Sequence, residues 1–410
     1  MILQELKLQN FRSYKKTTFQ FSSETTLIIG PNTAGKTNIL EAIMMMATGK
    51  SFRADADREA ITWGSDIGRV IAEIESGAVR GSSFAAHPSN PSAFSLSSIS
   101  KEDMTVLEKI RRAAPDGVKL ELVITNGEVQ GQKVQLKKYL VNGVARRAID
   151  FVGNLSAVLF WPEHLELVTD SPSLRRKYLD SVLVQVDREY RRNLMSYERG
   201  LRQRNRLLDL INEGTAHRQQ LLFWDQLLIK AGGYITNKRE EYINFVNTYS
   251  VPNIQYSTEY DKSVISEARL DQYKDEEVSA KATLVGPHRD DFVITRRQET
   301  SFGKTSLGKS RDKQDKRDKR QESSNIVLSK YGSRGEQRLA VLWLKLAELS
   351  YIEHESGDRP ILLLDDIFSE LDEAHRNLVI DLIGRQQTIV TSADRDIIHI
   401  IPKAAQRISL

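Results

Sequence analysis

The stretch from Leu27 to Met46 constrains the fold more than any other part of the chain. Leu27-Ile28-Ile29 is an apolar run, and Gly30-Pro31-Asn32-Thr33-Ala34-Gly35-Lys36-Thr37 follows it directly. After that, Ile39, Leu40, Ala42, Ile43 and Met46 recur at helical spacing. A buried strand, a glycine turn and an amphipathic helix in this order predict α/β architecture with a parallel sheet.

The turn has the spacing of a P-loop: Gly, four residues, then Gly-Lys-Thr. Gly30 and Gly35 let the backbone wrap closely, so that the N–H groups of Pro31 to Ala34 (proline excepted) and of Gly35 itself face phosphate oxygens. The following helix adds its N-terminal dipole. In this pattern Lys36 neutralises the β- and γ-phosphates and the Thr37 hydroxyl ligates Mg²⁺, so ATP and Mg²⁺ are the expected cofactors.

A second half-site is expected at Ile361-Leu362-Leu363-Leu364-Asp365-Asp366. Four apolar residues read as a fully buried strand, and acids at its carboxyl end lie where α/β sheets bind ligands. Asp365 is assigned to the Mg²⁺ shell and Asp366 to the attacking water as general base. About 30 residues earlier, Ser333-Arg334-Gly335-Glu336-Gln337 opens an amphipathic helix, where Ser333 and Gly335 offer a hydroxyl and backbone donors to an anion. Ser369-Glu370-Leu371-Asp372 has the place of a D-loop. This order of motifs is that of an ABC-type ATPase head.

Composition narrows the remaining choices. The chain has 410 residues and a net charge of only +4, so a nucleic-acid footprint must be local. Without cysteine it has no disulfide, thiolate nucleophile or Fe–S cluster, which fits a cytoplasmic setting. The seven histidines include no i,i+4 pair. No apolar run approaches the ~18 residues of a membrane span, and the N-terminus does not read as a signal peptide.

Three segments are expected: an ATPase lobe over 1–165, a helical lobe or arm over 166–280, and a C-terminal ATPase part over 281–410. From Pro172, apolar residues at Leu174, Tyr178, Val182, Val186, Tyr190, Leu194, Tyr197 and Leu201 predict one long helix. A second is expected over about Gln220–Tyr249. Ser76–Asp103 and Glu299–Asn325 read as low-complexity insertions. Between Pro172 and Gln220 stand eleven Lys/Arg and six acids, a local excess suited to phosphates or simply to solvent.

Several blocks resemble the RecF family of bacterial recombination mediators. They are Leu8–Tyr14, the P-loop running into Asn38–Ile43, Phe160-Trp161-Pro162-Glu163, Arg175–Asp180, Gly286-Pro287-His288-Arg289-Asp290-Asp291-Phe292, Gly332–Arg338 and Leu363–Asp372. The resemblance spans nearly the whole chain. It implies an ABC head with an inserted helical lobe II and an ATP-dependent homodimer, in which Ser333 of one protomer meets the phosphates on Lys36 of the other. It also adds Arg12 and Asp372 to the nucleotide set. The implied activity is weak, DNA-stimulated ATP hydrolysis, with DNA, RecR and RecO as partners, RecA loading at gaps as the outcome, and no membrane association. The place of the ABC switch histidine falls to Thr391 or Ser392, and His164 replaces a commonly acidic residue.

The alternatives are other ABC ATPases and a scaffold that binds ATP without turnover. A structural-maintenance head needs a long heptad arm, which is absent here. A transporter ATPase would carry a clear switch histidine.

Overall fold

The computed structural model describes residues 1–75, 117–251, 255–296, 326–369, 373–394, 396–401 and 406–410. The expected insertions at 76–103 and 299–325, and Asp372, lie outside these residues. The described chain divides into two units. Unit 1 contains Met1–Leu159, Asp358–Phe368 and Asn377–Leu410, and unit 2 contains Phe160–Gly357 and Ser369–Arg376. Of the segment read as 281–410, residues 281–357 and 369–376 fall in unit 2.

Unit 1 holds two sheets. The first is six-stranded and antiparallel, built from β1 (Ile2–Phe11), β2 (Tyr14–Gln20), β4 (Ile67–Glu75), β5 (Gly117–Thr125), β8 (Lys137–Val141) and β9 (Val144–Arg146), in the order β2-β1-β4-β5-β8-β9. The short β6 (Glu128–Val129) and β7 (Gln132–Lys133) form a separate hairpin. Leu3 and Leu6 are three apart, out of phase for a strand, yet both are fully buried. A register shift between Leu3 and Glu5 against β4 brings them to one face. Asn142-Gly143, read as a turn, joins β8 to β9 with both residues at positive φ.

The second sheet has the order β10-β14-β15-β3-β16, from β3 (Thr25–Ile29), β10 (Ala157–Phe160), β14 (Ile361–Asp365), β15 (Thr388–Ser392) and β16 (Gln406–Ser409). The pairs β14–β15, β15–β3 and β3–β16 are parallel. Every residue of β14 is buried, as its unbroken apolar run requires. Helix α1 (Lys36–Thr48) packs on this sheet. Sequence ends meet here: Gln387 accepts from the Leu3 N–H at 2.7 Å and donates back to the Leu3 carbonyl at 2.7 Å.

Unit 2 is mainly helical, with α2 (Pro172–Val186), α3 (Arg188–Asn212), α4 (Leu222–Thr248) and α5 (Arg334–Ser356). Beside them stands a small antiparallel sheet of β11 (Tyr256–Asp261), β12 (Asp291–Arg296) and β13 (Ile326–Val327). The single long helix expected from Pro172 is two helices. Asp187 breaks it with φ −112° and ψ 110°, and its carboxylate accepts from the Glu189 and Tyr190 N–H groups as an N-cap. The apolar spacing runs through the break, so periodicity alone misses it. In the core, Lys345 and Glu348 form a buried pair at 2.9 Å, with Lys345 over the Tyr178 ring.

Candidate nucleotide site and signature helix

In unit 1 the loop after β3 turns through Thr33 (φ 74°) and Gly35 (φ 99°) before α1 begins at Lys36. Gly35 is needed on two counts. Its backbone is left-handed, and a Cβ there would stand 2.7 Å from the Tyr14 hydroxyl and 2.9 Å from Ser13 Oγ. Lys36 is buried, and its ammonium donates to the carbonyls of Gly30 (2.8 Å) and Pro31 (3.0 Å). Ala34 N–H closes the turn on the Pro31 carbonyl. Asn32 and Thr33 are exposed, and Thr37 lies in the first turn of α1.

Asp365 and Asp366 stand at the carboxyl end of β14, with β15 between that strand and β3. The strands are parallel, so the aspartates and the P-loop emerge at the same edge of the sheet. Asp365 is buried and accepts from Thr391 Oγ1 at 2.5 Å. Asp366 has φ +50°, and its N–H donates to the Thr391 carbonyl at 3.1 Å. Left-handed backbone is accessible to Asp and Asn more readily than to most residues.

Arg12, in the β1–β2 turn, grips α1. Its Nε and Nη2 donate to the two Glu41 oxygens at 2.9 and 2.6 Å, and Nη1 donates to the Glu59 carbonyl at 2.9 Å. Glu41 is fully buried and also accepts from Ser51 Oγ at 2.5 Å. Nothing local in the sequence marks Glu41 for this role. Its partner is 29 residues away, beyond any helical spacing.

These groups fit a magnesium nucleotide by their chemistry: a glycine cradle too tight for a Cβ, a buried lysine aimed into its loop, and a hydroxyl and a carboxylate on neighbouring elements. Among the described residues no cluster of three His or acidic side chains could hold a metal without such a ligand.

In unit 2, Ser333 caps α5 through a reciprocal box. Its Oγ accepts from the Glu336 N–H at 3.3 Å, and Glu336 Oε2 accepts from the Ser333 N–H at 2.8 Å. The Ser333 N–H and hydroxyl, both donating to Glu336 Oε2, together with the Arg296 guanidinium hold the Glu336 carboxyl below its ordinary range. Gly335 faces open space: a Cβ there would meet nothing within 4 Å.

The Gly286–Phe292 string forms the floor of a polar knot in the same unit. Arg239 is buried and donates to Asp180 (2.8 Å), to Asp290 (3.2 Å) and to the Pro287 carbonyl (2.7 Å). His288 sits between the Tyr197 hydroxyl (2.7 Å) and the Thr283 carbonyl (2.9 Å). Burial pushes its imidazole down to about 4. Gly286 has φ +128°, and a Cβ would collide with the Tyr197 hydroxyl. His164 is explained locally. Its Nδ1 accepts the Trp161 N–H at 3.4 Å, and burial, with the Lys345 charge, drives its pKa well below the usual value.

The fold is that of an ABC ATPase head of the RecF/SMC type. Residues 2–408 match the model of the RecF/RecN/SMC N terminal domain family. The chain is 32% identical to the DNA replication and repair protein RecF of Roseiflexus castenholzii, over 97% of this chain and 94% of that protein. It is 33% identical to the RecF of Herpetosiphon aurantiacus, again over 97% and 94%. A solved structure of the recombination mediator protein RecF-ATP in the RecFOR pathway superposes with a TM-score of 0.73 at 25% identity, covering 96% of this chain and 93% of that one. This chain belongs to the RecF family. Among the described residues no helix is long and apolar enough to cross a membrane.

Proposed function

We propose that this protein is an ATP-switched DNA-binding protein of recombinational repair, a mediator whose ATP-bound dimer holds DNA near single-strand/double-strand junctions. The observation that carries the reading is the shared sheet edge of Gly30–Thr37 and Asp365-Asp366, in a chain similar to RecF proteins along nearly its whole length. In this reading the Gly30 to Gly35 backbone and Lys36 cradle the phosphates, while Thr37 and Asp365 hold Mg²⁺. Mg²⁺-ATP supplies the charged γ-phosphoryl group whose loss to water ends the closed state. Asp366 orients that water and accepts its proton. Arg12 supports the set by fixing α1.

Ser333 and Gly335 of one protomer complete the partner's site, with Asp372 as the D-loop residue at the interface. Hydrolysis is weak and promoted by DNA, so ATP times the clamp, and RecR and RecO are the protein partners through which RecA is placed at gaps.

The test is sedimentation and ATP turnover with and without gapped duplex DNA. Dimers with ATP and turnover raised by the DNA are expected. A chain that stays monomeric with ATP and ignores DNA rules the reading out.

A further inference from the structure

Lobe II presents more cations than it uses. Of the eleven Lys/Arg between Pro172 and Gln220, five arginines are drawn into bonds within unit 2. Arg175 pairs with Asp291 and Arg176 donates to the Asp290 carbonyl. Arg191 donates to the Val184 carbonyl, Arg204 bridges Asp225 and Glu277, and Arg218 pairs with Asp275. Another set lines the outside of α3.

Arg188, Arg192, Met195, Arg199, Arg202 and Arg206 are all exposed. At 100° per residue all six fall within about 40° either side of Arg188 on the helix wheel. The acids of α3 lie off this stripe, at roughly 60° to 100° from its centre. Asp209 pairs with Lys281 at 2.6 Å, and Glu189 meets Arg192 at 3.7 Å. Arg199, Arg202 and Arg206 have no hydrogen-bond or ion-pair partner among the described residues. The stripe runs for about 27 Å, the axial length of about eight base pairs.

We infer that this stripe is a contact surface for the phosphate backbone of double-stranded DNA, an assignment that rests on the DNA-binding reading above and gives it an address. Arginine forks match phosphate oxygens, and a straight row of them suits a regular polyanion. No aromatic side chain lies in the arc, so the stripe lacks the stacking platforms by which proteins take single strands. A contact made to the phosphates carries no base information, so this one is sequence-independent.

The experiment is fluorescence-anisotropy binding of the full chain, with ATP, to a blunt duplex and to a single strand across a KCl series. The triple variant Arg199→Gln/Arg202→Gln/Arg206→Gln is compared with a control that removes the same charge from exposed strand positions, Lys133→Gln/Lys138→Gln/Arg146→Gln. The stripe variant is expected to lose more than tenfold in duplex affinity at ~0.1 M salt. Its log K against log[salt] slope becomes shallower by about 2.7, at ~0.9 per phosphate lost. Unchanged ATP-dependent sedimentation and helical circular dichroism show that the variant is folded. If the variant keeps the wild-type duplex slope, if the control loses as much, or if only single-strand binding falls, the stripe is overturned while the mediator reading stands. A wild-type chain that does not bind duplex overturns both.

Discussion

Thr391 Oγ1 donates to Asp365 Oδ1 at 2.5 Å, between neighbouring parallel strands, with both side chains buried. A buried carboxylate that loses such a donor keeps its desolvation cost. Thr391→Val is therefore expected to lower stability by about 1–3 kcal/mol. It should also weaken the Mg²⁺ dependence of nucleotide binding, while Thr391→Ser restores both. Thermal melts and Mg²⁺ titrations with a fluorescent nucleotide check this.

The Arg12–Glu41 pair predicts a stronger effect. Removing one partner of a buried ion pair strands the other charge and typically costs about 3–5 kcal/mol. Arg12 is partly exposed, so Arg12→Ala should fall near the low end, and Glu41→Ala should lose more than Glu41→Gln. Urea denaturation measures the loss. Equal stability of Arg12→Ala and wild type would show that the clasp does not hold α1.

His288 sets a pH dependence. Its folded pKa of about 4 lies below the ordinary 6.5, because burial disfavours the imidazolium more than the bond to the Thr283 carbonyl favours it. Between those values the unfolded chain binds the extra proton. The His288 contribution is therefore fully present above pH 6.5 and is lost as pH falls through about 4, by up to about 3 kcal/mol. His288→Gln should flatten that part of the stability–pH curve relative to wild type. Parallel curves would contradict the assignment.

Asp366 separates chemistry from backbone. Its φ of +50° is tolerated by Asn, so Asp366→Asn should fold and dimerise with ATP yet lose turnover by at least a hundredfold. Single-turnover assays on the isolated dimer read this directly. Retained turnover would remove Asp366 as the base.

Local patterns were legible in the sequence where one element carries the whole signal. The P-loop and the buried strand at Ile361 stand where their residue types demand, because glycine turns and unbroken apolar runs depend little on distant partners. What the sequence hid depends on pairing across the chain. Arg175 and Arg176 read as surface cations, but their acceptors, Asp291 and the Asp290 carbonyl, lie more than a hundred residues away. Asp187 falls inside the apolar spacing expected of one helix, and only its capping bonds reveal the break. The Gly286–Phe292 string was recognisable as a motif, whereas its bonds to Arg239 and Tyr197 were not.

The central claim is that the nucleotide switch is a dimer in which Ser333 serves the partner's Lys36. Mixing two inactive variants tests it. Lys36→Ala and Ser333→Arg should each fail to dimerise with ATP, but together they should form heterodimers with one intact composite site. Sedimentation of differently labelled variants should then show ATP-dependent co-migration, with turnover reaching at most about half the wild-type rate per dimer at one working site in two. A mixture as inert as either parent would contradict the account.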